Sequence, residues 1–232
     1  MRILALDAST EWCSVALGDE RGFEERTEEA GQRHSELLLP MIESLLSNAR
    51  TSLPLLDGIA FGAGPGSFTG LRVACGVAQG LALGARLRLV GIGTLAAMAE
   101  AARRRHGANR VIAAIDARMR EVYVAAYEYQ DERWRERIAP MVVRSETAPL
   151  PPGAGWLAAG RGFSTYPALR SRLAAAISGV DADIVPSAAA IGALALPRFA
   201  AGESVPARDA APVYVRHRVA VTVAERAAGA VL

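Results

Sequence analysis

The feature that most constrains the fold is a pattern that occurs twice. An apolar strand, Arg2 to Asp7, ends on the polar turn Ala8-Ser9-Thr10, and two more strands follow, Trp12 to Leu17 and one from about Phe23. Helices and strands then alternate. Apolar residues at 38, 41, 42, 45 and 46 mark a helix from Ser35 to Asn48, with Ser35 as its N-cap and Pro40 near its first turn. A strand from Gly58 to Phe61, a glycine-rich turn, a helix from Ser67 to Ala85, a strand from Leu87 to Ile92 and a helix from Thr94 to Arg105 complete the unit. The pattern restarts near residue 109. Val111 to Asp116 is again an apolar strand closing on an aspartate, followed by strands Glu121 to Tyr129 and Arg133 to Ile138. Beyond a Pro-rich joint (148–155) come strand Trp156 to Ala159, helix Ser164 to Ala176, strand Asp183 to Val185 and helix Ser187 to Ala201. Two such units predict an α/β fold of two duplicated lobes with mixed sheets. The expected lobes are residues 1–108 and 109–232, with the chain from about 203 returning to the first lobe and the tail after Arg218 disordered.

Composition narrows the chemistry. The chain has 232 residues, and its net charge of +2 is too small to mark a nucleic-acid binder. There is no lysine among the 26 cationic residues, so a phosphate-loop lysine, a Schiff base and a lysine general base are excluded. Apolar runs are interrupted well before eighteen residues, which predicts no membrane span, and the early Asp7 is unlike a secretory signal. Cys13 and Cys75 read as buried thiols in a reducing compartment, and the cytoplasm is the expected location. The three histidines, His34, His106 and His217, have no partner at ligand spacing, so neither a metal site nor a cofactor is expected.

The segment GAGPGSFTGLRVACGVAQGLALG, Gly62 to Gly84, is the most informative. A glycine-rich turn opening a helix can present N–H groups to an anion. It fits neither common phosphate fingerprint, however, and a tight strand-to-helix turn shaped by Pro65 is the preferred reading. Within the helix Gly76, Gly80 and Gly84 recur every four residues. Each costs about 1 kcal/mol relative to alanine, so close packing is expected, either on this chain's own elements or on another subunit. Asp7 and Asp116 end equivalent strands, but the turns Asp7-Ala8-Ser9-Thr10 and Asp116-Ala117-Arg118 lack a glycine that would let backbone approach a phosphate. Asp7 therefore reads first as a structural turn former, and the lesser alternative is a vestigial nucleotide site of Asp7, Ser9, Thr10 and Asp116.

ILALDASTEWCSVAL at 3–17, RHSELLLPMIESLL at 33–46, PGSFTGLRVACGVAQGLAL at 65–83, VGIGTLAAMA at 90–99, DARMREVYVAAY at 116–127 and PVYVR at 212–216 together resemble the TsaB (YeaZ) family. The resemblance implies an actin-like (ASKHA) fold and a non-catalytic role in tRNA threonylcarbamoyladenosine synthesis. In that pathway the related TsaD subunit transfers threonylcarbamoyl to adenosine 37 of ANN-decoding tRNAs, and a small ATPase, TsaE, joins the complex. It implies heterodimerisation with a TsaD-like subunit, homodimerisation when alone, and contact with tRNA only through the complex. The two helices of the first lobe would form the partner interface, through His34, Leu38, Met41, Ile42, Leu45, Gly70, Val73, Gly76, Val77 and Gly80. TsaD-like relatives carry two metal-binding histidines four apart after the strand that follows the glycine-rich helix. Here that stretch reads Gly91-Ile92-Gly93-Thr94-Leu95-Ala96, without a histidine.

Overall fold

The computed structural model describes residues 1–216. The first repeat builds a mixed five-stranded sheet from β1 (Ile3–Asp7), β2 (Trp12–Asp19), β3 (Gly22–Glu29), β4 (Gly58–Gly64) and β5 (Leu89–Gly93), in the order β3-β2-β1-β4-β5. The second repeat builds another from β6 (Arg110–Asp116), β7 (Glu121–Gln130), β8 (Arg133–Arg144), β9 (Trp156–Ala159) and β10 (Ile177–Asp181), in the order β10-β9-β6-β7-β8. The opening strand of each repeat takes the central place, antiparallel to the next strand and parallel to a later one. The helices are α1 (His34–Asn48), α2 (Phe68–Ala85), α3 (Thr94–His106), α4 (Gly162–Thr165), α5 (Pro167–Leu173) and α6 (Ala188–Ala200).

A central strand covered on both faces must be apolar on both. In β1, Leu4 and Leu6 face a core shared with α1 and α2, while Ile3 and Ala5 face Ala188, Ala190, Ile191 and Ala195 of α6. The edge strand β3, GFEERTEE, is by contrast mostly exposed and acidic, which discourages pairing with a further strand.

The helix that sequence order assigns to the second half therefore packs on the first sheet. Its N-terminus is fixed there by β3. The Glu25 Oε1 accepts the Ser187 hydroxyl at 2.8 Å and the Ala189 N–H at 3.0 Å, and Ser14 Oγ accepts the Ala188 N–H at 3.0 Å. A carboxylate on the free amides of a helix start is favourable through both hydrogen bonding and the helix dipole. Glu25→Ala is expected to cost about 1–2 kcal/mol, the usual worth of a lost N-cap, read as a lower midpoint in urea unfolding. A midpoint unchanged within error would mean the bonds contribute nothing net. The chain then returns to the first lobe: Val205 and Leu89 exchange backbone bonds, Gln79 Nε2 donates to the Ala210 carbonyl at 2.9 Å, and the Val213 N–H donates to Ala63 O at 2.7 Å.

Several local expectations are revised. α1 begins at His34 after Arg33, with no side-chain cap, and Pro40 lies in its second turn, inside the helix. The expected helix over 164–176 is two short helices because Pro167 forces Tyr166 into an extended conformation and restarts the turn at its own position. The last strand is Ile177–Asp181, not Asp183 to Val185: it pairs with β9, and Asp183 lies in the turn beyond it. β8 runs on to Arg144 through Pro140, which is tolerable on an edge strand. His217 and the tail after Arg218 lie outside the described residues.

Candidate functional site

The glycine-rich turn is filled by the chain itself. A Cβ on Gly70 would stand 1.8 Å from the Ala8 carbonyl oxygen, and one on Gly66 would stand 2.3 Å from that of Ser9. The Ser67 N–H donates to Ser9 O at 2.7 Å, and Ser67 Oγ caps α2 by accepting the Gly70 N–H. These two glycines therefore let the turn after β1 press against the start of α2. The Ser67 N–H, one of the backbone groups that could face a phosphate, is thus already bonded to Ser9.

The four residues of the expected nucleotide site are each occupied locally. Asp7 is buried, and its Oδ1 accepts both the N–H and the hydroxyl of the equally buried Ser9, at 3.0 and 2.8 Å. Its Oδ2 has no hydrogen-bond partner and lies where a Gly62 side chain would be, near Ile191 of α6. Burial pushes the Asp7 carboxyl up to about 6, against the lowering effect of the Ser9 hydrogen bonds and of His34. Thr10 Oγ1 accepts the Trp12 N–H at 3.3 Å. Asp116 accepts the Arg118 N–H and the Tyr166 hydroxyl, both at 2.7 Å, and pairs with the Arg118 guanidinium at 3.1 Å.

The expected interface residues divide into two groups. Leu38, Met41, Ile42 and Leu45 point into this chain's own first core and are almost completely buried, so they do not face a partner. Helical periodicity identifies the apolar stripe of α1 but not the neighbour that covers it. His34 is also buried, its Nε2–H donating to the Thr10 carbonyl at 2.7 Å, and Gly70 serves the close approach to Ala8. α2 is different. Leu71, Ala74, Ala78 and Ala82 are buried on the sheet side, and Val73 and Val77 lie half-buried at the margin. On the outer side a Cβ on Gly76, Gly80 or Gly84 would meet nothing within 4 Å. Leu83, not among the expected interface residues, is 75% exposed beside them, and Leu39 of α1 is half-exposed. Packing among the described residues therefore does not explain these glycines.

By length and composition alone α2 is apolar enough to cross a membrane. One of its faces is committed to the sheet, and Arg72 and Gln79 interrupt it with polar contacts to Tyr214 and Ala210. An apolar helix half inside a core leaves its other half in need of cover.

No group of three metal-ligating residues occurs among the described residues. The stretch Gly91 to Ala96, where the resemblance placed the histidines of TsaD-like relatives, runs from the end of β5 into α3, and its Ile92, Thr94 and Leu95 are buried.

Comparison with known proteins agrees with this architecture. A family model described as "TsaD: tRNA N6-adenosine threonylcarbamoyltransferase" matches residues 26–207. The Escherichia coli (strain K12) protein named tRNA threonylcarbamoyladenosine biosynthesis protein TsaB is 39% identical over 95% of this chain and 96% of its own. Its namesake from Haemophilus influenzae is 39% identical over 94% and 95%. The structure of YeaZ from Pseudomonas aeruginosa has a TM-score of 0.86 at 41% identity, covering 92% of this chain and 99% of that one. The two mixed sheets with their helices form the actin-like fold that the resemblance implied. With both repeats matched nearly end to end, the chain belongs to the TsaB (YeaZ) family.

Proposed function

We propose that this chain is a non-catalytic subunit of the machinery that makes threonylcarbamoyladenosine on tRNA. It binds a TsaD-like catalytic subunit and activates or stabilises it for transfer of threonylcarbamoyl to adenosine 37 of ANN-decoding tRNAs. A TsaE-like ATPase joins the complex, tRNA is met through the complex, and the chain pairs with itself when the catalytic subunit is absent. The lobes divide near residue 109, and the work is done in the cytoplasm without a metal or cofactor held by this chain.

The observation that carries the reading is the outer face of α2. Three glycines four residues apart leave it flat, nothing among the described residues covers it, and Leu83 stands exposed on it. Small residues at that spacing let a second helix approach closely, and an exposed apolar patch is the usual mark of a protein interface. The names of the Escherichia coli and Haemophilus influenzae relatives supply the pathway.

The test is reconstitution from purified pathway enzymes, tRNA and threonylcarbamoyl-adenylate, with the modified nucleoside quantified. Product is expected only when this chain and the catalytic relative are both present, and none from this chain alone. Equal product without the chain would overturn the assignment.

A further inference from the structure

The first lobe's interface does not run out at the start of α2. Phe68, in the first turn of that helix, is half-exposed. The guanidinium of Arg72 stacks 3.8 Å above its ring, and Tyr214 tilts against it with centroids 5.5 Å apart. Arg72 Nε also donates to the Tyr214 hydroxyl at 3.2 Å. A shallow groove continues from Phe68 past Val213 and Tyr214 to Tyr123 and Arg216, so it joins the two lobes. Arg216 crosses it, donating to the Ala117 carbonyl at 2.9 Å, pairing with Glu121 and touching Met119 Sδ.

At the far end stands the turn Arg118-Met119-Arg120, all three residues exposed and all three left-handed, with φ of 63°, 56° and 62°. For residues with a side chain that conformation costs about 1–2 kcal/mol each. Strain of this kind persists where a function needs the shape. Here it holds two arginines and a methionine outward at the mouth of the groove.

The charge of this corner is one-sided. Arg118 is paired with Asp116 and Arg216 with Glu121. Arg72 and Arg120 make no ion pair among the described residues, so two cations are in surplus beside the apolar Phe68, Met119 and Val213. Arginine and aromatic residues around an apolar centre are the composition of interface hot spots.

We propose that this corner extends the α2 face across both lobes and receives an acidic segment of the catalytic partner, its carboxylates meeting Arg72 and Arg120 and an apolar side chain entering beside Phe68 and Met119. A nucleic-acid strand fits less well. Base stacking needs an open aromatic face, and Phe68 is already covered by Arg72 and flanked by Tyr214. The proposal rests on the partner-binding reading above.

The test compares the full-length wild type with Arg72→Glu, Arg120→Glu and the double variant, by calorimetric and kinetic binding to the purified catalytic relative at low and high salt. Each single variant is expected to weaken binding about tenfold, mainly through slower association, and the double about a hundredfold, with a flatter salt dependence. Thermal melting of Arg120→Glu alone should match the wild type, whereas Arg72→Glu gives up its stacking on Phe68 and its bond to Tyr214 and should melt slightly lower while remaining folded. Wild-type affinity in the double variant, while Gly80→Arg still breaks the complex, overturns the corner and leaves the α2 reading intact. Intact partner binding combined with loss of tRNA retention by the assembled complex overturns it in favour of RNA. Failure of the wild type itself to bind the relative sinks both.

Discussion

Gly80→Arg is expected to weaken the complex with the catalytic relative by at least a hundredfold, below detection in a size-exclusion assay at micromolar protein, while leaving this chain folded. The argument depends on Gly80 having two properties together. It lies inside a helix, where glycine is a poor choice by about 1 kcal/mol, and a side chain there would touch nothing among the described residues. The companion variant Gly80→Ala separates the two. It should stabilise the isolated chain by up to about 1 kcal/mol in urea unfolding through helix propensity alone. Against the partner, even that methyl would hold the helices apart. A Gly80→Arg protein that binds normally would place the interface elsewhere.

The second large effect concerns Asp7. Its carboxyl is buried, half of its hydrogen-bonding capacity is unused, and it titrates near 6 instead of the 3.8 of a free aspartate. The folded state thus binds this proton more tightly than the unfolded state does. Its contribution is fully favourable below about pH 4, declines as pH rises towards 6 and stays unfavourable above that. The two-unit shift corresponds to about 3 kcal/mol. Asp7→Asn keeps an oxygen for the two Ser9 donors and removes the ionisation. The stability difference, Asp7→Asn minus wild type, should therefore grow by about 2–3 kcal/mol between pH 4.5 and 7.5 in parallel urea titrations. A difference that is constant across that range would mean that Asp7 ionises without cost. The nearby titratable groups, His34 and Glu25, are present in both proteins and cancel to first order.

Much of the fold could be read from residues. The two apolar strands ending on Asp7 and Asp116, each with its antiparallel successors, defined both sheets because a central strand is apolar on every residue and an edge strand such as β3 is not. Trp156 to Ala159 was placed to the residue. What escaped was long-range. Nothing local in Ala188–Ala200 says which sheet its apolar face will meet, nor that Glu25, 162 residues earlier than Ser187, will hold its first turn. The same blindness explains α1: periodicity found Leu38, Met41, Ile42 and Leu45 as one face, but burial by the chain itself and burial by a partner leave the same pattern. The glycines of α2 differed because glycine in a helix carries a cost that demands an explanation, and only the structure removed the internal one. The left-handed turn at Arg118 to Arg120 had no signal at all, since no glycine or asparagine marks it.

The return of α6 to the first sheet has a consequence for how the polypeptide is made. Ile3, Ala5 and Ala60 are covered by a helix that ends at residue 200, so the first lobe to leave the ribosome is the one that must wait longest for its cover. Until the second lobe has been synthesised, that apolar face is open, and closing it requires a contact across nearly the whole length of the chain. Such contacts form slowly, and surface left open meanwhile is prone to aggregate. For this chain the two lobes are duplicates in pattern, yet neither the order of synthesis nor the order of completion treats them alike.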